Sequence, residues 1–266
     1  MDSSYQPLPD VRVIPSHLDV PGVGVILVNA FVLLSERPVL IDTGIGMDTE
    51  QFMATLESII DPAELAWVWL THDDTDHTGS LCAVLERAPE AKLATHGLGA
   101  LRASTWCPLP LDRVHALQIG STIDAGDRTL HAIRPPVFDN PTSTGIHDPS
   151  TGTVFVVDTF GAILPGVVEN AADLAEPELV GGMTAWTTFD SPWTHLVDRG
   201  RFGEVIDGVR KLEASNVLSS HLPAAIGQTD ALLKILESVP DAEPFVPPDY
   251  EAFAAIVAQM GPPSEV

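Results

Sequence analysis

The sequence predicts an α+β protein in which two β-sheets stack face to face with helices on the outside. Three observations predict it. Short apolar runs come first, then alternate with helical patterns, then return mixed with helices near the end of the chain, the order expected of layered sheets covered by helices. Hydrophobic residues make up 45% of the 266 residues, and mean hydropathy is +0.17, enough apolar surface for one large core. Four of the apolar runs also end in Asp or His, namely at Asp42, at the His72–His77 cluster, at Asp158 and at His221. Strand tips on one edge of a sheet sandwich converge, so these groups are expected to share a cleft. The whole of 1–266 is read as one domain, with 239–266 as a C-terminal linker and helix.

Each element has its own signal. Residues 1–10 are polar and Pro-containing and are expected to be loosely held. Val11–Ile14 is a short strand. The apolar run Val23–Leu34 is expected to form a hairpin with Val39–Ile41 across the turn Ser35–Pro38. Thr49–Ile60 carries Phe52, Leu56, Ile59 and Ile60 at helical spacing and stops at Asp61-Pro62. Ala66–Leu70 is a buried strand, Thr78–Arg87 a helix, Ala91–Ala94 a strand and Gly97–Ala103 a short helix. Leu117–Ile133 reads as two or three short strands, and Asp139–Ser143 as a loop. Thr153–Val157 is a buried strand, Ala185–Leu212 is mostly helical with a break near Ser191-Pro192, and Val217–Ser219 is a strand. Asp230–Ser238 and Tyr250–Met260 are helices joined by a Pro-rich linker.

Charge excludes some function classes. The formal net charge is −24 and the sequence pI about 4.4, so nucleic acid and anionic membrane surfaces are poor partners. No charged leader with an apolar segment behind it is visible, nor an apolar run of membrane-spanning length, so a cytoplasmic location is expected. The two cysteines, Cys82 and Cys107, cannot form a thiolate metal cluster. They could pair, but Cys82 lies in an apolar helical pattern and is read as a buried free thiol.

The chemistry concentrates in Thr71-His72-Asp73-Asp74-Thr75-Asp76-His77-Thr78-Gly79-Ser80, a strand-to-helix loop. Burying two His and three Asp in six residues requires a counter-charge, which a divalent metal supplies. The spacing His72-x-Asp74-x-Asp76-His77 lets one tight turn aim ligands at two neighbouring ions.

Together with Val39–Gly44, Val156-Val157-Asp158-Thr159 and Ser219-Ser220-His221, this loop resembles the metallo-β-lactamase superfamily over most of the chain. The resemblance implies an αββα four-layer sandwich with a binuclear metal site along the strand edges. Hydrolases of that family carry His where this chain has Asp74, whereas the flavodiiron branch carries a carboxylate. Val157–Gly161 and Ser220-His221-x-Pro223 are also similar to segments of that branch. Asp139 stands where the family has a metal-binding His. Carried over residue by residue, the resemblance implies one metal held by His72, Asp74 and Asp139, a second held by Asp76, His77 and His221, and Asp158 bridging them. A set this rich in carboxylates favours iron, with manganese or zinc as alternatives.

Asp42 is read as a group that orients the loop. His147 is the rival to Asp139, although a surface position beside the turn Asp148–Gly152 is the favoured reading. Phe160, Met183 and Trp186 are candidates to line a pocket above the metals, with core packing favoured for most of them. The expected function is a diiron protein that binds or activates O2, or reduces O2 or NO, with electrons from an external redox partner because no flavodoxin segment is recognised. The alternatives are a non-catalytic oxygen sensor and a binuclear hydrolase of an ester, thioester or lactone. The sequence is compatible with a homodimer.

Overall fold

A computed structural model describes residues 3–260, so the first two residues of the expected loose start and 261–266 of the expected C-terminal segment lie outside the described residues. The chain begins with β1 (Tyr5–Leu8), β2 (Val11–Ile14), β3 (His17–Val20), β4 (Gly24–Leu27), β5 (Ala30–Leu33) and β6 (Val39–Ile41). Strands and helices then alternate through α1 (Thr49–Ile59), β7 (Trp67–Trp69), α2 (Thr75–Thr78), α3 (Leu81–Arg87), β8 (Lys92–His96) and α4 (Gly97–Ala103). Next come β9 (Val114–Leu117), β10 (Thr122–Asp124), β11 (Thr129–Ile133), β12 (Gly145–Asp148), β13 (Thr153–Phe155) and β14 (Ile163–Leu164). The last part holds α5 (Glu176–Asp190), α6 (Arg199–Arg210), β15 (Asn216–Leu218), β16 (Ala225–Ile226), α7 (Thr229–Ser238) and α8 (Tyr250–Met260).

A seven-stranded sheet has the order β1-β2-β5-β6-β7-β8-β9, and a six-stranded sheet the order β10-β11-β12-β13-β15-β16. Strand alternation sorts the core into layers. Phe31, Leu33, Ile41, Trp67 and Trp69 of the first sheet meet Ile146, Phe155 and Leu218 of the second. Their neighbours Val32, Leu40 and Val68 point the other way, onto Phe52 and Leu56 of α1 and Val84 of α3. Val154 and Val217 pack outward on Met183, Ile206 and Leu232 from α5, α6 and α7. The result is an αββα sandwich.

Parallel pairing places the functional tips. β6, β7 and β8 run parallel, as do β13 and β15. Ile41 sits opposite Trp69, and Phe155 opposite Leu218. Asp42, His72, Asp158 and His221 therefore leave the sheets on the same sense of strand, one to three residues past a paired position.

Several expectations are corrected. Residues 5–8 form an edge strand, because Tyr5 and Leu8 rest on the inter-sheet core. The run 23–34 splits: β5 pairs with β6 as expected, but β4 joins β3 and β14 in a small third sheet. The helix expected from Ala185 begins at Glu176, with Pro in its first turn, where the Gly181-Gly182 pair had masked the pattern. Cys82 is not a free thiol. It is bonded to Cys107, with the two Cα atoms 5.7 Å apart, because the segment after α4 returns to α3, a long-range contact that helical periodicity cannot show. No helix among the described residues is long and apolar enough to cross a membrane.

Candidate metal centre

The loop after β7 is folded around Asp42. This buried carboxylate has φ 59°, a left-handed conformation that Asp tolerates better than most residues. From there it accepts the Thr71 backbone N–H and the Thr71 hydroxyl, both at 2.8 Å, and lies 2.8 Å from His77 Nδ1. The turn between α2 and α3 then packs glycine on glycine: a Cβ on Gly79 would lie 2.1 Å from the Gly46 nitrogen.

All three imidazoles are tied from behind. His77 Nδ1 faces Asp42, His221 Nδ1 lies 2.6 Å from the Leu27 carbonyl, and His72 Nδ1 lies 3.2 Å from the Thr71 hydroxyl. A carbonyl only accepts, so His221 carries its proton on Nδ1 and presents Nε2 to the cleft. The Nε2 atoms converge on carboxylates. His72 Nε2 is 3.8 Å from Asp74 and 3.5 Å from Asp158. His77 Nε2 is 3.4 Å from Asp76 and 3.0 Å from Asp158. His221 Nε2 is 3.4 Å from Asp76 and 3.1 Å from Asp158.

Among the described residues, His72, Asp74 and Asp139 place one donor atom each within 4.8 Å of one another, and so do Asp76, His77 and His221. A third such group, His72, His77 and Asp158, spans both. A fourth contains Asp139, Asp158 and Asp190. Asp190, the last residue of α5, was not singled out by the sequence reading. Its only signal was an acidic end to the helix just before Ser191-Pro192.

Electrostatics fit cations in this cleft. Burial opposes charge on His77, but Asp76, Asp158 and Asp42 outweigh it and hold the imidazole pKa well above its usual range. Burial likewise opposes ionisation of Asp158, and His72 and His77 overcome it, holding the carboxyl well below the usual range. Asp139 is pushed up to about 6 by burial and by the charge of Asp158. Asp190 is pushed up to about 8 by burial and by Asp158 and Asp139. The cleft thus holds more negative charge than its own groups neutralise. His77 Nε2 approaches Asp158 Oδ1 without hydrogen-bond alignment, and both it and Asp158 Oδ2 are buried without hydrogen-bond partners. Orphaned donor atoms and crowded carboxylates are what a pair of divalent ions would satisfy.

The flanking residues separate. Trp186 covers the centre, with its ring 4.3 Å from that of His221 and its Nε1 donating to the Asp158 carbonyl at 3.0 Å. A Cβ on Gly161 would collide with that indole. Phe160 and Met183 are fully buried in the core under α5, α6 and α7 rather than lining the cleft. His147 does stand beside the turn that follows Asp148, but as a strand residue of β12, opposite His131 and Val154. It belongs to no donor group with the cluster among the described residues, since its register aims it at the α6 side, where it lines a separate cavity. Val157 and Phe160, at φ 60° and 67°, bracket Asp158 with strained backbone, a cost of the kind that clusters at functional sites.

The family model described as ODP family beta lactamase matches residues 26–221. The flavo-diiron protein FprA2 of Clostridium acetobutylicum is 29% identical over 99 residues, 37% of this chain and 25% of that protein. A nitric oxide reductase of Moorella thermoacetica is 26% identical over 137 residues, 50% of this chain and 33% of that one. Among solved structures, the flavodiiron protein from Giardia intestinalis superposes with TM-score 0.79 at 16% identity, covering 90% of this chain and 60% of that one. The rubredoxin oxygen:oxidoreductase of Desulfovibrio gigas gives TM-score 0.77 at 16% identity, covering 90% and 61%. The chain spans a quarter to a third of those curated relatives and about three-fifths of those solved chains. The structural likeness, at such identity, is one of fold. Because the family match runs from β4 through every strand tip to His221, the chain belongs to the ODP family beta lactamases.

Proposed function

We propose that this chain holds two iron ions and reduces O2 or NO with electrons from a separate redox donor. The observation that carries this reading is Asp158: one buried carboxylate lies 3.0 Å and 3.1 Å from the Nε2 atoms of His77 and His221, and 3.5 Å from that of His72. His72, Asp74 and Asp139 would hold one ion and Asp76, His77 and His221 the other, with Asp158 between. Hard carboxylates at positions 74 and 139 bias the pair toward iron or manganese over zinc, and away from the imidazole-rich hydrolase arrangement. When bound, two ferrous ions supply two electrons to a diatomic molecule at the site. The protein's own groups hold the imidazoles in place: Asp42 orients His77, the Leu27 carbonyl orients His221, and the Trp186 ring shields His221 from solvent.

The test is anaerobic reconstitution with Fe(II), metal analysis, and consumption of O2 and of NO under an external reductant. Two irons per chain are expected, with consumption that Asp158→Ala lowers by at least about 100-fold together with its metal content. A zinc-loaded form that hydrolyses a thioester or lactone, beside an inert iron form, would overturn the reading.

A further inference from the structure

A second cavity, of about 330 Å3, opens beside the metal centre between the exit of β11 and the start of α6. Arg134 and Phe138 enter it from the segment that leads to Asp139, Trp193 from the turn after Asp190, and Arg201 from the first turns of α6. Its volume is at the lower end for small-molecule sites and suits one or two fused rings.

The aromatic wall is fixed. Phe138 and Trp193 have ring centroids 6.0 Å apart at 57°, and Trp193 Nε1 donates to the Phe138 carbonyl at 3.2 Å. The Arg134 guanidinium lies 4.9 Å from the Phe138 ring centre. Arg134 Nη1 donates to the carbonyls of Pro141 and Ser143, at 3.1 Å and 2.7 Å, while its Nη2 and Nε make no hydrogen bond among the described residues.

Charge gives the cavity its selectivity. The chain has 37 acidic and 13 basic residues, and Arg37, Arg87, Arg102, Arg128, Arg199 and Arg210 each lie on a carboxylate. Among the described residues, Arg134 and Arg201 form no ion pair, yet both face this cavity. The carboxylate at its rim, Asp198, caps α6 by accepting the Arg201 backbone N–H at 2.9 Å. Two guanidiniums without carboxylate partners beside two mutually inclined aromatic rings match a ligand that is flat at one end and anionic at the other. The net charge of −24 does not forbid such a ligand, because salt screens charges beyond roughly 8 Å at physiological ionic strength.

We propose that this cavity binds an aromatic carboxylate, its ring against Phe138 and Trp193 and its carboxylate on Arg134 and Arg201. The site is separate from the metal centre and stands whether or not that centre reduces diatomics.

The experiment is calorimetric titration of the purified protein with 2-naphthoate and with the neutral 2-naphthylmethanol. Arg201 is exposed on α6, so Arg201→Gln is expected to fold as the parent does, which circular dichroism checks. Saturable one-site binding of 2-naphthoate is expected, weakened about 10-fold by Arg201→Gln and also weakened by Trp193→Ala. The alcohol should bind more weakly than 2-naphthoate and equally to the parent and Arg201→Gln. Asp158→Ala should leave 2-naphthoate binding intact. Equal affinity for acid and alcohol, an unaltered affinity in Arg201→Gln, or no saturation up to about 1 mM would overturn the proposal. So would loss of binding in Asp158→Ala, which would place the carboxylate on the metal centre instead.

Discussion

Asp139 reaches the cluster from a loop rather than from a strand tip, and its neighbour fixes the geometry. Asn140 Nδ2 donates to Asp74 Oδ1 at 2.8 Å and approaches Asp73 at 3.3 Å, and Asp73 also accepts the Thr142 hydroxyl and pairs with Arg102. That lattice ties the 139–143 loop to the 72–77 loop. Asp139→Ala should therefore weaken one metal by at least about 10-fold and leave the other bound, while His147→Ala keeps both; metal counting after gel filtration reads the difference. The sequence showed the 72–77 cluster because its donors are consecutive, and it showed Asp139 only through a resemblance. It did not show Asp190, which arrives from a helix end with no motif around it. Asp139 and Asp190, pushed up to about 6 and about 8, make a pH prediction for the metal-free protein. A carboxyl with a raised folded pKa stabilises the fold below its unfolded value, about 4, and that stability is lost as pH rises through the folded value. His77 and His221, also raised, act in the same direction, whereas the depressed Asp76 and Asp158 cost stability only on the acid side. The Tm of metal-free protein should fall as pH climbs from about 4 to about 8, and Asp190→Asn should flatten the part of that fall above about 6, where Asp139 has already titrated, by about 4 °C. An identical slope in the variant would mean that Asp190 is not the strained group.

At the scale of elements, backbone fit decides more than side-chain polarity. α2 and α3 are separated by Gly79, whose Cα lies against Gly46; an added Cβ would sit 2.1 Å from the Gly46 nitrogen, 2.3 Å from the Ile45 carbonyl carbon and 2.5 Å from the Gly46 Cα. Those atoms are backbone and cannot step aside. Gly79→Ala should cost on the order of 3 kcal/mol and reduce metal content, because the displaced turn carries His77. Gly181, in the middle of α5, meets nothing within 4 Å, so Gly181→Ala should stabilise by about 0.5–1 kcal/mol. Denaturant melts of the two variants test the contrast, and equal effects would show that the glycine contact is not the cause. The elements legible in the sequence were those with strong apolar period, such as α1 and the buried three-residue strands β6, β7 and β15. β3 and β14 were not, because their residues are half-exposed or the strand is two residues long. β12 was missed because Asp148–Gly152 reads as a turn with His147 as a surface residue beside it, and its strand character comes from pairing with β11 and β13 on either side.

In the whole molecule the candidate metal cluster lies where the two sheets meet at one edge, and each sheet supplies part of it. His72, Asp74, Asp76 and His77 follow β7 of the first sheet, while Asp158 and His221 follow β13 and β15 of the second, and Asp139 precedes β12. The layered architecture was legible because the order of runs and the apolar alternation are properties of the entire chain. The joining of the sheets through the cleft is not written in any single segment. Between the sheets, Phe31, Ile41, Trp69, Phe155 and Leu218 form an apolar layer that needs no ion, so metals bound at the cluster would act as a staple at the edge rather than as the core. Chelation of a metal-replete preparation should then lower the Tm on the order of 10 °C, the linkage expected when two tightly held ions leave the native state. Far-UV circular dichroism below the transition should stay unchanged. Amide exchange should accelerate in the loops at 71–80, 139–143 and 158–161 and remain slow in β5 and β6, whose ladders lie inside the layer. Asp158→Ala, with the carboxylate shared by both donor groups removed, should melt at the chelated temperature with or without chelator. A chelated protein with an undiminished Tm, or one that exchanges uniformly across β5 and β6, would mean that the cleft does not hold the two sheets together.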